Sequence, residues 1–205
     1  TRRSSDLTLT PDKLKTAKVV AFYTTGDIPL DVKAFDAWIK AGGGFFAVHT
    51  GTDTLHGNAD YLKIINAEFN GHPWTSKETV TFKLDDPTNP TVSMFDPHFT
   101  RMEEIYHYKD FDPTQVRVLM SLDMERTELK RTEHVPVVWC KNYGQGKVFH
   151  TELGHRDDMW TTDVYQQHLT AAIKWLLGDI TFDATPNPEV SKQEEELARK
   201  AVAST

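Results

Sequence analysis

The chain has 205 residues, 39% hydrophobic and 26% charged, with a formal net charge of -7. That length suits one domain with a real core, and the balance is that of a folded globular protein. An acidic chain is a poor partner for nucleic acid, whose phosphates attract basic surfaces, and no apolar run approaches the roughly 18–20 residues of a membrane-spanning helix. The lone cysteine, Cys140, excludes an intrachain disulfide. The sequence starts at Thr1 without an initiator Met. A removed leader is therefore expected, and a bacterial periplasmic or secreted location is favoured over the cytoplasm.

In chain order, Thr10-Pro11-Asp12 reads as a helix start, with Thr10 as N-cap and Pro11 in the first turn. The apolar run Lys18–Tyr23 suits a buried strand of a parallel sheet. A helix is expected from about Pro29 to Ala41, with Val32, Phe35, Trp38 and Ile39 on one face and Gly42 ending it. Phe45–Val48 is a second buried strand, which completes a unit with the length of a right-handed strand–helix–strand crossover. The loop His49–Gly57 leads to a short helix near Asn58–Asn66, and Thr79–Leu84 alternates like a half-buried strand.

The turn-rich stretch Asp85–Pro90 follows, and Met102–Leu122 offers two more strands separated by Asp110–Pro113. Val135–Cys140 and Lys147–Thr151 read as strands joined by the Gly-bearing turn Asn142–Gly146. A helix from Asp163 to Leu177 stacks Val164, His168, Leu169, Ala172, Ile173 and Leu176 on one side. We therefore expect one α/β domain over residues 1–180, then a linker and a charged, solvated helix within 181–205.

Ligands of open parallel sheets bind beyond the carboxyl ends of the strands. Two strands here end in polar clusters, His49-Thr50-Gly51-Thr52-Asp53-Thr54-Leu55-His56-Gly57 and His150-Thr151-Glu152-Leu153-Gly154-His155. Imidazoles can move protons near neutral pH or hold a metal. His49, Asp53, His155 and Glu104 are the candidate catalytic residues, while capping of the loop backbone is an equal alternative for Asp53. His56, His72, Trp74 and Tyr106 are candidate substrate contacts. Trp74, beside His72 in Gly71-His72-Pro73-Trp74, could stack on a sugar ring or sit in the core. Of Glu103 and Glu104, only one can face a given side of a strand. His150 and His168 are expected in the interior, and His98, His107 and His134 carry no signal. His49, His155 and Glu104 are also the candidate ligands of a divalent metal such as zinc, manganese or calcium, although their spacing is not diagnostic. There is no Gly-x-Ser-x-Gly elbow, phosphate-binding Gly loop or Cys-x-x-Cys pair.

A set of stretches resembles the ThuA-like (trehalose utilisation) family. These are Ala41–Thr54 around Gly-Gly-Gly-Phe-Phe-Ala-Val-His49, Glu68–Pro73, Glu103–Tyr106, Val118–Asp123, His134–Trp139, and Tyr143–His155, followed by His168 and Trp175. The resemblance runs from about residue 10 to residue 178. It implies the flavodoxin-like fold of class I glutamine amidotransferases, a mostly parallel sheet flanked by helices. It also places His49 where those enzymes carry their nucleophilic Cys on a sharp turn. Glutaminase chemistry is therefore not expected, since an imidazole there cannot form the thioester.

What the resemblance implies is a small-molecule carbohydrate, a disaccharide or 3-keto-glycoside, handled by His/carboxylate acid–base chemistry with or without a metal. A non-catalytic sugar-binding or accessory module is the alternative. Such proteins begin with one more strand and helix than this sequence has before residue 10. We therefore expect the sequence to be a fragment, or a second copy or companion chain to supply that unit, because an unpaired central strand is costly.

Overall fold

The computed structural model describes residues 9–204. The elements, in order, are α1 (Pro11–Thr16), β1 (Val19–Phe22), α2 (Val32–Lys40), β2 (Gly44–Val48), α3 (Ala59–Ile65), β3 (Glu68–Phe69), β4 (Thr79–Leu84) and β5 (His98–Met102). Then come β6 (Tyr108–Lys109), β7 (Arg117–Leu122), β8 (Pro136–Tyr143), β9 (Gly146–Thr151), α4 (Asp157–Trp160), α5 (Asp163–Leu177) and α6 (Pro188–Ala203). The main sheet has the order β1-β2-β9-β8-β7-β4-β5, and β3 pairs with β6 in a small ribbon. β1, β2 and β9 are mutually parallel, and the remaining ladders of the main sheet are antiparallel. The sheet is thus mixed rather than mostly parallel: two of its six ladders among the described residues are parallel, at the strands that deliver His49 and Glu152, and the β8–β9 hairpin reverses direction beyond them.

Local chemistry explains the boundaries. Thr10 caps α1, its hydroxyl accepting from the Lys13 amide at 3.4 Å, with Pro11 next to it. α2 starts later than expected because Asp31 supplies the cap, accepting from the Ala34 amide at 3.0 Å. Asn58 caps α3, and Asn66 ends it in the left-handed region at φ 74°. The β8–β9 hairpin is tighter than expected: Tyr143 pairs with Gly146, leaving two turn residues, and Gly144 takes φ 64°.

Every residue of β2 is buried, as expected of a strand covered on both faces. Phe45 and Ala47 join Phe22, Phe35, Ile39, Tyr61 and Ile64 in the core beneath α2 and α3. Phe46 and Val48 point the other way, into a larger core with Phe149, Tyr165 and Trp175. Each such Phe or Val side chain removed from water contributes about 1.5–3 kcal/mol, so burial on both faces holds β2 firmly in the sheet.

The C-terminal helix differs from the solvated one expected. Ser191, Glu194, Ala198 and Ala201 of α6 are buried, and Ala198 and Ala201 belong to the core that includes Phe149. Lys83 on β4 meets Glu194 at 2.5 Å across this interface. Four buried positions among many charged ones form a narrow stripe, too thin to stand out against Lys192–Glu196. β5 was also not anticipated, since only Phe99 in His98–Met102 is an aromatic or aliphatic anchor before Met102.

Candidate functional site

The parallel register builds the site. Val48 of β2 pairs with Thr151 of β9, so the next residues, His49 and Glu152, leave the sheet side by side. His49 turns at once into a short 3₁₀ segment, His49–Asp53, with a left-handed φ of 44°. That conformation is uncommon for a non-Gly residue, and such strain gathers at functional positions. Gly154 takes φ 116°, and a Cβ there would collide with the Tyr165 hydroxyl, so only glycine can bring the chain back to His155.

His49 is fully buried. Its Nδ1 lies 2.8 Å from the Glu152 carbonyl oxygen and 3.0 Å from Glu152 Oε1. Both neighbours are acceptors, so Nδ1 carries the proton and donates it. Nε2 then faces Glu104 Oε1 at 3.5 Å and has no hydrogen-bond partner. Glu104 Oε1 is also 3.6 Å from His155 Nε2, and the ligand atoms of His49, Glu104 and His155 all lie within 4.8 Å of one another. His72 Nδ1 approaches Glu104 Oε2 at 3.9 Å. Among the described residues this is the one group of three or more His, Cys, Asp or Glu side chains spaced to hold an ion.

Glu152 is the hub beneath. It is fully buried, and besides His49 it accepts from the Tyr106 amide at 3.1 Å and from the Tyr108 hydroxyl, and faces His150 Nε2 at 3.3 Å. Burial works against its ionisation, but His49 and His150 outweigh burial and hold its carboxyl below the usual range. Burial likewise works against a charged His49, yet Glu152 and Glu104 reverse this and raise it to about 10. The His49 imidazole therefore sits in a field that attracts a cation to Nε2. The His49 ring, with partial burial in opposition, lowers Glu104, and His155 and His72 add to that effect.

The other expected residues divide clearly. Asp53 and His56 form a partly exposed pair at 2.6 Å, with the Thr25 hydroxyl also bonded to Asp53. Tyr106 is buried, its ring 4.3 Å from His49 and 4.4 Å from Phe69, and forms the wall behind the imidazole. Glu103 and Glu104 do face opposite ways. Glu103 turns inward and accepts from the Arg156 amide at 3.1 Å, which ties the His155 loop to the segment that follows β5.

Trp74 is corrected. It is 0% exposed, packs in the main core and donates Nε1–H to the Leu129 carbonyl at 2.8 Å, so no sugar can reach it. Trp74 is held by an isolated antiparallel bridge to Ile105, while His72 stays at the surface. His150 and His168 are interior as expected. His150 lies 3.9 Å from the Trp139 ring, and His168 bonds Thr91 and Thr151. His98, His107 and His134 pair elsewhere, with Asp123, Glu133 and Ser121.

Sequence reasoning missed Glu152 as a working residue. Its position two after His150, on a strand end rich in polar groups, was the available signal. The register that sets it against His49 was not readable.

The sequence profile of the ThuA family, described as trehalose utilisation, matches residues 1–176. The chain belongs to the ThuA family. Solved structures agree at the level of fold. A ThuA-like protein of Bacteroides uniformis superposes with a TM-score of 0.68 at 20% identity, over 92% of this chain and 78% of that one. One from Parabacteroides merdae gives 0.68 at 14% identity, over 93% and 84%. No curated protein matches in sequence. A flavodoxin-like α/β fold in the service of trehalose utilisation is thus the family frame of this ThuA chain, and no helix among its described residues is long and apolar enough to cross a membrane.

Proposed function

We propose that this ThuA protein is a carbohydrate-processing enzyme that cleaves a disaccharide or its 3-keto form, with a divalent ion held by His49 Nε2, His155 Nε2 and Glu104. The observation that carries the reading is the spacing of these three atoms around an unpartnered Nε2. Ligands bonded to a zinc-like ion at about 2.1 Å stand roughly 3.0–3.4 Å apart. The separations of 3.5 and 3.6 Å lie just above that range and outside good hydrogen-bond length. Glu152 on Nδ1 supplies the outer carboxylate that orients metal-binding imidazoles.

The ion would act as a Lewis acid toward a substrate carbonyl or hydroxyl oxygen. The chain's own groups handle the protons. In a 3-keto-glycoside the carbonyl acidifies the C2–H bond. The proposed base is the Asp53–His56 pair, bonded at 2.6 Å, which would take that proton as the C1–C2 double bond forms and the C1–O bond breaks. The departing oxygen gains a proton from His72 or water, leaving a free sugar and an unsaturated keto-sugar.

The test is turnover of trehalose and 3-keto-trehalose by the wild-type protein with and without chelator, beside His49→Ala. The reading expects turnover that chelation and His49→Ala both abolish. Sugar binding without turnover would mark a non-catalytic binding module instead.

A further inference from the structure

We infer that Tyr23 and Trp160 form the platform on which a pyranose ring stacks next to His49. Three observations converge. First, the two rings are conspicuously exposed, at 50% and 37%, in a protein whose Trp74, Trp139 and Trp175 are buried. Second, they are built together. The rings meet edge to face at 5.8 Å, and both donate to one acceptor, the Gly154 carbonyl, from Tyr23 OH at 3.2 Å and Trp160 Nε1 at 2.8 Å. Trp160 also packs edge to face on buried Tyr165 at 5.4 Å, which fixes its plane. Third, the pair is in the right place. Tyr23 directly follows β1 at the carboxyl end of the parallel strands, and its ring is 6.5 Å from that of His49.

Exposed aromatic rings whose polar tips are already satisfied offer apolar faces and little competing hydrogen bonding. A pyranose has apolar C–H faces with hydroxyls at its rim, so it can stack on the rings while its rim reaches His49, Glu104 and His155. Preorganisation by the shared carbonyl removes part of the entropic cost of binding. The platform also supplies the stacking surface that buried Trp74 cannot provide.

This inference rests on the carbohydrate reading of the same site but not on catalysis. The experiment is a titration of the wild-type protein with trehalose and with 3-keto-trehalose, followed by tryptophan fluorescence and by calorimetry. A sugar-dependent fluorescence change that disappears in Trp160→Phe is expected. Trp160→Ala and Tyr23→Ala should each raise the calorimetric Kd about three- to tenfold. Tyr23→Phe, which keeps the ring, should stay within about twofold. Unchanged affinity in both alanine variants, or no binding of either sugar at millimolar concentration, would overturn the platform. Binding that depends on Trp160 without any turnover would instead leave the platform standing and overturn the enzyme reading.

Discussion

His49 and Glu152 are joined at one atom from two sides, the imidazole Nδ1 meeting the Glu152 carbonyl at 2.8 Å and its carboxylate at 3.0 Å. The doubled acceptor fixes Nδ1–H as the donor and turns Nε2 toward Glu104, the position that a proton or a metal ion would take. Removing the carboxylate loosens the ring and weakens Nε2 as a donor. Glu152→Gln is expected to lower metal affinity and turnover by about 10–100-fold while the protein stays folded. Calorimetric metal titration and circular dichroism check both halves, and unchanged metal affinity would count against the orienting role.

Gly154 should be irreplaceable for packing as well as direction. Gly154→Ala combines an unfavourable φ of 116° with a collision against Tyr165. A loss of about 2 kcal/mol or more is expected by urea denaturation, with a weakened site, because the same turn carries His155.

Trp74→Ala separates core from ligand roles. Emptying this fully buried position should cost about 3–5 kcal/mol of stability. Sugar affinity of the protein that remains folded should be unaltered. A selective loss of sugar binding would mean that the indole reaches the cleft.

Asp85 should make stability depend on pH. Its carboxyl, bonded to the Ser121 hydroxyl at 2.6 Å, is pushed up to about 7 by burial, with Glu194 and Asp123 adding to the rise. The folded state therefore holds a proton that the unfolded chain releases near 3.8. This contribution is fully present below about pH 4 and is lost as pH rises through about 7. The loss should be on the order of 2 kcal/mol, less than complete burial would give. Asp85→Asn should flatten the slope in chemical denaturation between those limits, and an unchanged slope would refute the assignment.

The fold was largely legible because β1, α2 and β2 are written in uninterrupted apolar periodicity, and the strand–helix–strand length admits few arrangements. The strand ends carrying His49 and His155 were legible for the same reason: polar residues stop those runs abruptly. Trp74 was not, because an aromatic beside a loop histidine has the same local sequence whether the indole turns outward or under the sheet. Glu152, Tyr23 and Trp160 depend on register and on a turn at Gly154, long-range relations that no local pattern encodes. α6 hid its buried stripe because its docking positions are Ala, Ser and Glu rather than large apolar residues.

The most direct test of the account is the metal stoichiometry of the purified protein after incubation with zinc or manganese, measured by mass spectrometry and titration for wild type, His49→Ala and His155→Ala. One ion per chain in the wild type, lost in both variants, is the predicted result. A wild type that binds no ion, or variants that bind as it does, would contradict the assignment of His49, Glu104 and His155 to a metal centre.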